Sequence, residues 1–149
     1  MTDSGSALAR ACADAMWAED HATQALGMTI DVIDSGIAEV SMTVRKDMVN
    51  GYGLCHGGLI FTLADSAFAY ACNTHNRRTV ASGARIEFLA PARLDDQLTA
   101  RARQLSQGRS TGVYDVLVSR ADGEQVALFR GNAHRIAGNL VDDNDGESD

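Results

Sequence analysis

The chain has 149 residues, of which 45% are hydrophobic and 22% are charged. This composition is typical of one soluble globular domain, and it excludes a wholly disordered or collagen-like chain. The formal net charge of −7 argues against non-specific binding to nucleic acid or to an anionic membrane surface.

The charge is unevenly distributed along the chain. Residues 142–149 contain five of the acidic side chains, whereas residues 77–135 contain ten basic and six acidic side chains. We therefore predict one folded domain over residues 1–138, followed by an acidic, disordered tail over residues 139–149. The basic segment is compatible with a small anionic ligand, although the chain as a whole is acidic.

Cysteine content and hydropathy indicate a cytoplasmic protein. The three cysteines (Cys12, Cys55 and Cys72) are an odd number without a CxxC pair, which predicts neither a disulfide framework nor a zinc site. The first residues lack the basic start and apolar stretch of a secretory signal. The longest apolar-rich run, over residues 54–72, is interrupted by polar side chains and is therefore not a membrane span.

The first half of the chain predicts a helix, a hairpin and a second helix. Residues 6–26 are rich in alanine and predict a helix, and residues 28–44 alternate around Asp34-Ser35-Gly36 as a β-hairpin does. After a loop over residues 45–55, His56-Gly57-Gly58 opens a long helix that is apolar on nearly every face. Such a helix is expected to be buried.

The second half predicts four strands: Thr79–Leu89, Gln97–Leu105, Gly112–Ser119 and Gln125–Ile136. Short connections, among them the hairpin signal Asp122-Gly123, predict that consecutive strands are antiparallel neighbours. The expected fold is α+β, an antiparallel sheet of five or six strands wrapped around one long central helix. Its exposed edge strands predict oligomerisation.

Asp65 stands in the middle of the apolar helix. An ionised carboxylate removed from water costs several kcal/mol unless it is paired or hydrogen-bonded. None of the residues three or four positions away is basic. Either Asp65 accepts hydrogen bonds from Thr62, Ser66 or a neighbouring strand, or it faces a cleft as a functional group. We favour the functional interpretation because perturbed carboxylates cluster at functional sites.

Gly57 and Gly58 begin the same helix. The N–H groups of a first helical turn are unpaired donors at the positive end of the helix dipole. Glycine allows close approach, so a carbonyl oxygen could be polarised there as in an oxyanion hole. A tight turn alone would also explain two glycines. The carboxylate seven residues after Gly58, on the same helix face, favours the functional interpretation.

The segment HGGLIFTLADSAFAYACN resembles the hotdog-fold thioesterases, most closely the PaaI type of phenylacetic acid degradation. The resemblance covers about residues 10–137 and includes Asn50, RIEFLAPAR, GRSTGVYDV and VALFRGNAHRI. It implies the hotdog fold and the hydrolysis of acyl-CoA thioesters, with aryl- or arylacetyl-CoA as substrate, such as phenylacetyl-CoA or a hydroxylated derivative.

The resemblance also implies roles for individual residues. The thioester carbonyl would lie against the amide of Gly57 or Gly58. Asp65, supplied by the facing subunit of a dimer, would attack the carbonyl or act as general base on water. Asn50 would orient the water or the carbonyl, or it is only a turn residue. His56 would support the helix start rather than transfer a proton.

Coenzyme A is implied as part of the substrate, so no separate cofactor and no metal are expected. The resemblance assigns substrate-binding residues to the basic segment: Arg93, Arg109, Ser110 and Thr111 for the nucleotide end, and Ser82 and Gly83 for the pantetheine channel. Each arginine taken alone is better explained as a solvated loop residue. The family further implies a homodimer that assembles into a homotetramer, with active sites between subunits.

Two alternatives stay open at this point. A hotdog dehydratase acting on 3-hydroxyacyl thioesters would need His56 as the base, although here His56 precedes two glycines at a helix start. A non-catalytic acyl-CoA-binding sensor would not need a carboxylate in an apolar helix, and it would usually carry a DNA-binding segment, which the sequence does not contain.

Overall fold

The structure, a computed structural model, describes residues 4–142. The helices are α1 (Ser4–Glu19), α2 (His21–Ala25) and α3 (Gly57–Cys72), and a 3₁₀ turn spans Lys46–Met48. The strands are β1 (Thr29–Asp34), β2 (Ile37–Thr43), β3 (Thr79–Phe88), β4 (Gln97–Gln107), β5 (Thr111–Arg120) and β6 (Gln125–Arg135). The predicted hairpin, central helix and four later strands are therefore all present.

The predicted N-terminal helix is divided in two at Asp20. The Asp20 side chain accepts a hydrogen bond from the N–H of Thr23 and so caps α2. Its second carboxylate oxygen accepts a hydrogen bond from the hydroxyl of Tyr70, on α3. The break between α1 and α2 is thus fixed against the central helix, a contact that the alanine-rich sequence does not reveal.

All strand pairs of the sheet are antiparallel, and the strand order is β1-β2-β4-β5-β6-β3. The prediction that consecutive strands are neighbours is wrong for β3 and β4. β3 pairs with β6 from Thr79↔Arg135 to Phe88↔Ala127, while β4 lies between β2 and β5. The connection over residues 89–96 is longer than a tight hairpin loop, so it can cross to a distant strand.

α3 lies against the sheet and supplies the centre of the core. Its side chains Ile60, Leu63 and Phe68 are buried in one hydrophobic cluster with residues of β2, β4, β5 and β6. A β-carbon on Gly131 would stand 2.7 Å from the ring of Phe68, so only glycine lets the helix approach β6 this closely.

The expectation that α3 is buried all round holds for most of the helix, but not for one stripe. The residues of the stripe are only partly buried: Phe61, Thr62, Asp65, Ser66 and Ala69.

The two edges of the sheet differ. β1 is short, and α1 packs against it. β3 has a neighbour on one side only, and of its ten residues only Thr79 is buried. The apolar side chains of Val80 and Phe88 on β3 are exposed. The expected exposed edge is therefore β3, a long strand whose outer N–H and C=O groups are available for pairing.

The segment after β6 folds back onto the start of β3. The side-chain oxygen of Asn76 accepts hydrogen bonds from the N–H groups of Leu140 and Val141, so these residues of the predicted tail are attached to the domain. Residues 143–149, the rest of that tail, lie outside the described residues. Among residues 4–142, no helix is both long and apolar enough to cross a membrane.

Candidate active site

The N-terminus of α3 carries one free donor. His56 has an extended backbone and caps the helix, because its Nδ1 accepts a hydrogen bond of 2.9 Å from the N–H of Gly58. The N–H groups of Leu59 and Ile60 donate to the carbonyl of His56. Within residues 4–142, the N–H of Gly57 has no partner. Of the two glycines that the sequence offered, Gly57 is therefore the one free to polarise a carbonyl oxygen.

The ring of Phe88 lies directly against Gly57. A β-carbon built on Gly57 would stand 3.1 Å from Cζ of Phe88, which is closer than ordinary van der Waals contact. Phe88 ends β3, and its side chain is 54% exposed. The free donor is thus flanked by an exposed aromatic ring, and a larger residue at position 57 would displace that ring.

Asp65 is a half-buried carboxylate that no described residue pairs or hydrogen-bonds. The hydroxyl of Thr62 donates to the carbonyl of Gly58, and the hydroxyl of Ser66 is hydrogen-bonded to that of Thr23. The two neighbours that could have satisfied Asp65 therefore bond elsewhere. Burial raises the pKa of Asp65 above the ordinary value of an aspartate, because desolvation disfavours the charged form.

Gly57 and Asp65 of one subunit are too far apart to act on one carbonyl group. They are eight residues apart on one helix, which is about 12 Å along the helix axis. An oxyanion donor and an attacking group must each lie about 3 Å from the reacting group. Their common helix face, which suggested cooperation in the sequence, is therefore not sufficient within a single chain.

Asn50 shapes the loop that leads into α3. Its Oδ1 accepts hydrogen bonds from the N–H groups of Tyr52, at 2.9 Å, and Leu54, at 3.2 Å. This is the turn role that the sequence left open. Its Nδ2 has no partner among the described residues and faces solvent with an exposed side chain. The loop is thus fixed by one atom of Asn50, while the other atom stays available as a donor.

The predicted substrate-binding residues fall into two groups at opposite ends of the sheet. Arg93 bridges to Leu54 and lies at the end where α3 begins. The other group lies near the end of α3, because Asn73, which directly follows that helix, is hydrogen-bonded to Thr79 at the start of β3. Val80, the next residue of β3, and Thr111 of β5 both pair with His134. The members of that group are Ser82, Gly83, Arg109, Ser110 and Thr111. One subunit does not bring the two groups together.

The residues of the second group are exposed except for Gly83, which is partly buried, and their contacts are mostly structural. Ser82 lies at an irregularity in the register of β3 and donates its hydroxyl hydrogen bond to the carbonyl of Asn132, which pairs with Gly83. The side chains of Arg93 and Arg109 have no ion-pair partner within the described part of the chain. Both arginines are therefore free to bind an anion.

Two residues that sequence reasoning did not select lie beside the predicted site residues: Arg135 contacts the loop of Arg109, and Phe88 contacts Gly57. Arg135 donates its backbone N–H to the carbonyl of Ser110 and its Nη1 to the carbonyl of Arg109. Its Nε is buried, with no partner among the described residues. Phe88 is the second, beside Gly57. The motifs VALFRGNAHRI and RIEFLAPAR contain both residues, but only strand pairing shows which loop or helix each one meets.

Comparisons with known proteins agree with this architecture. A model of the thioesterase superfamily matches residues 52–127. The acyl-coenzyme A thioesterase PaaI of Escherichia coli (strain K12) is 48% identical over 129 residues, which are 87% of this chain and 92% of that protein.

Solved structures are also similar. The E. coli PaaI protein from the phenylacetic acid degradation operon matches with a TM-score of 0.90 and 48% identity, over 91% of this chain and 99% of that chain. A hypothetical thioesterase of Streptococcus pneumoniae TIGR4, solved with coenzyme A, matches with a TM-score of 0.77 and 26% identity, over 85% of this chain and 98% of that chain. The chain therefore belongs to the thioesterase superfamily, as a thioester hydrolase with the hotdog fold.

Proposed function

We propose that this protein is an acyl-CoA thioesterase that hydrolyses aryl- or arylacetyl-CoA, such as phenylacetyl-CoA or a hydroxylated derivative, to the free acid and coenzyme A in phenylacetate catabolism. One observation carries the proposal. On the central helix, neither the N–H of Gly57 nor the half-buried carboxylate of Asp65 has a hydrogen-bond partner among residues 4–142. A donor for a developing oxyanion and a base of raised pKa are the two groups that thioester hydrolysis requires.

The active site is formed between two copies of the chain. Because the donor and the carboxylate of one α3 lie about 12 Å apart, Gly57 of one subunit acts with Asp65 of another. The uncovered edge of β3 is the surface on which a second copy binds. Two identical edge strands related by a two-fold axis pair antiparallel, and this pairing satisfies the outer N–H and C=O groups of β3.

Antiparallel pairing of β3 also unites the two groups of substrate-binding residues. The start of β3 in one subunit meets the end of β3 in the other. Arg93 and Gly57 of one copy then lie near Ser82 and the loop of Arg109 in the second copy. The arginines are placed to bind the phosphates of coenzyme A in bidentate fashion. Two such dimers associate into a homotetramer, as the resemblance implies.

The reaction proceeds by addition and elimination at the thioester carbon. The carbonyl oxygen accepts a hydrogen bond from the Gly57 N–H, which lies at the positive end of the α3 dipole. Asp65 attacks the carbon directly or removes a proton from an attacking water. In the general-base route the C–S bond then breaks, and the CoA sulfur takes the proton that Asp65 removed from water. In the direct route the CoA thiolate leaves and Asp65 holds the acyl group as a mixed anhydride, which water hydrolyses to the free acid and the Asp65 carboxylate. Nδ2 of Asn50 is the free donor for orienting the water or the carbonyl.

Two similar proteins support the proposal. The E. coli relative bears the name acyl-coenzyme A thioesterase, and the S. pneumoniae neighbour was solved with coenzyme A. The dehydratase alternative is less well supported, because Nδ1 of His56 is already used as the acceptor that caps α3.

The proposal is tested by thiol release from phenylacetyl-CoA and from a panel of other acyl-CoAs. We expect Asp65→Asn to lower kcat by at least about a hundredfold, since a positioned acid–base group contributes ~10²–10⁴-fold. The matched control is Asp14→Asn, the same change on an exposed helical carboxylate of α1. Equal rates in the wild type and Asp65→Asn, or no release from any acyl-CoA, would refute the proposed function.

A mixing experiment tests the two-subunit site. Gly57→Pro and Asp65→Asn are each expected to be inactive, and the two variants are co-expressed with different affinity tags. Each mixed dimer contains one site with neither substitution and one site with both, so purified mixed dimers should recover about half of the wild-type activity. No recovery in purified mixed dimers would place both groups in one chain and contradict the shared site.

A further inference from the structure

We propose that Phe88 determines which acyl groups this enzyme accepts, because its ring forms the wall of the site that the acyl group of the thioester contacts. The inference rests on the proposed function, since it takes Gly57 as the donor to the thioester carbonyl. The inference gives a role to Phe88, a residue that takes no part in the proposed catalytic step and does not pack in the core.

The geometry places the ring next to the reacting group. The tip of the ring points at the hydrogen of the Gly57 α-carbon that a side chain would replace, with Cζ 3.1 Å from the position of a β-carbon. The N–H of the same residue is the free donor. A carbonyl oxygen bound to that N–H at about 2.9 Å would have its carbon only about 1.2 Å further away. The two groups attached to that carbon are then neighbours of the ring.

Phe88 is not a core residue. The other aromatic side chains of this region pack on one another: Phe61 on Phe129, and Phe68 on Tyr114 and Phe129. Phe88 makes no ring pair within the described residues and is 54% exposed. A large apolar side chain that one subunit leaves uncovered beside its donor, where the second subunit of the proposed dimer approaches, is consistent with a surface for an apolar ligand.

The ring is also held in a fixed place. The backbone of Phe88 pairs with Ala127, and the next residue, Leu89, donates its N–H to the carbonyl of Val126 at 2.8 Å. The ring therefore projects from the anchored end of a strand rather than from a free loop. A fixed aromatic wall favours a flat apolar acyl group, because aromatic pairs gain from offset or edge-to-face contact beyond simple burial.

Two substrates of different acyl size test the inference. For Phe88→Ala we expect kcat/KM for phenylacetyl-CoA to fall by about ten- to a hundredfold, which is the discrimination that apolar contacts in a pocket typically provide. The value for acetyl-CoA, whose acyl group barely reaches the ring, should change less than about threefold. Phe88→Leu should give an intermediate loss, since it keeps an apolar side chain of smaller area.

The control is Leu128→Ala. Leu128 is a 47% exposed apolar residue of β6 that pairs with Glu87, beside Phe88, and it lines a groove away from Gly57. It should leave kcat/KM for both substrates unchanged. Phe88 belongs to the edge strand on which the second copy is proposed to bind, so a substitution there could also weaken the dimer. The mass of each variant is therefore measured by light scattering, and kcat/KM values are compared only between variants that have the mass of the wild type.

The outcomes separate the inference from the proposed function. An equal loss for both substrates would assign the ring to the CoA side or to the dimer contact and overturn the inference. The inference would also be overturned if only variants of lower mass lost activity, while Phe88→Leu at the wild-type mass kept the wild-type ratio of kcat/KM for phenylacetyl-CoA to kcat/KM for acetyl-CoA. A wild type that hydrolyses neither substrate, nor any other acyl-CoA, would refute the proposed function and this inference together.

Discussion

The two ends of α3 are organised in opposite ways. At the C-terminal end, the amide of Asn73 donates to the carbonyls of Ala69 and Thr79 and accepts from the N–H of Thr79. The hydroxyl of Thr74 accepts from the N–H of Gly36, in the β1–β2 turn. These polar groups are buried and satisfied, so this end fastens the helix to the sheet.

At the N-terminal end, the polar groups are only partly used. His56 satisfies the N–H of Gly58, no residue in the described part of the chain bonds the N–H of Gly57, and the ring of Phe88 is exposed beside it. The difference shows that one helix can be anchored at one end and keep binding groups available at the other. A rigid helix that is anchored at one end helps to hold the donor in place at the other.

The largest effect is expected from removing the free donor. Gly57→Pro deletes the N–H, and proline suits the first position of a helix that follows an extended residue such as His56. Gly57→Ala keeps the N–H and adds a similar contact with Phe88. We expect kcat of Gly57→Pro to be about 10²–10³-fold below that of Gly57→Ala in a thiol-release assay. Equal kcat values would show that this donor is not used.

Substitutions at the anchored C-terminal end of α3 should lower the stability of the protein rather than its kcat. Asn76, with a left-handed φ of 60°, binds the backbone of Leu140 and Val141 through its side chain. Asn76→Ala loses these bonds and strains the backbone, at a cost of about 3 kcal/mol. We expect Tm to fall by roughly 10 °C, with kcat of the folded protein unchanged. Asn76→Asp, which retains Oδ1, should lose less, and a fall in kcat at an unchanged Tm would contradict the division between the two ends.

A smaller effect is expected at the single cap of the N-terminal end. His56→Ala leaves the N–H of Gly58 without its acceptor, and loss of a helix cap costs about 1 kcal/mol. His56→Asn supplies another capping acceptor and should recover most of the stability in thermal melting. Equal melting temperatures for the wild type and both variants would show that the cap does not stabilise α3.

The smallest effect concerns the titration of Asp65. Burial raises the pKa of Asp65 in the folded protein, so the acid limb of the kcat/KM profile should lie above the ordinary pKa of an aspartate. The folded state then binds the proton more tightly than the unfolded chain. Stability relative to Asp65→Asn should therefore be greatest below the unfolded pKa and decrease as pH rises through the folded pKa. Urea unfolding of both proteins across this range measures the difference, and parallel curves would contradict it.

Much of the fold could be predicted from local pattern. The hairpin around Asp34-Ser35-Gly36, the start of α3 after His56 and the four later strands all follow from periodicity and turn residues. The break at Asp20 and the position of β3 could not be predicted in this way. Both depend on long-range contacts, with Tyr70 and with β6, that leave no mark on local propensity.

The candidate site likewise contains some residues that could be predicted from the sequence and others that could not. The sequence singled out Asp65 because a carboxylate in an apolar helix needs an explanation, and it singled out the two glycines because helix starts carry free donors. It could not choose between Gly57 and Gly58, since that choice depends on which N–H the ring of His56 reaches. Phe88 and Arg135 were missed because their roles depend on strand register.

Local sequence patterns were sufficient to predict most of the helices and strands, the fold class, the resemblance to thioesterases and the carboxylate at the centre of the helix, because each depends on residues close together in the chain. The three-dimensional structure was needed to find the strand order, the donor at Gly57 that no described residue bonds, and the separation of the substrate-binding residues into two groups. The strand order and the separation of the two groups depend on which distant segments pair, and pairing is determined by the packing of the whole sheet on α3 rather than by any local sequence pattern. The choice of donor depends on the direction in which the ring of His56 points.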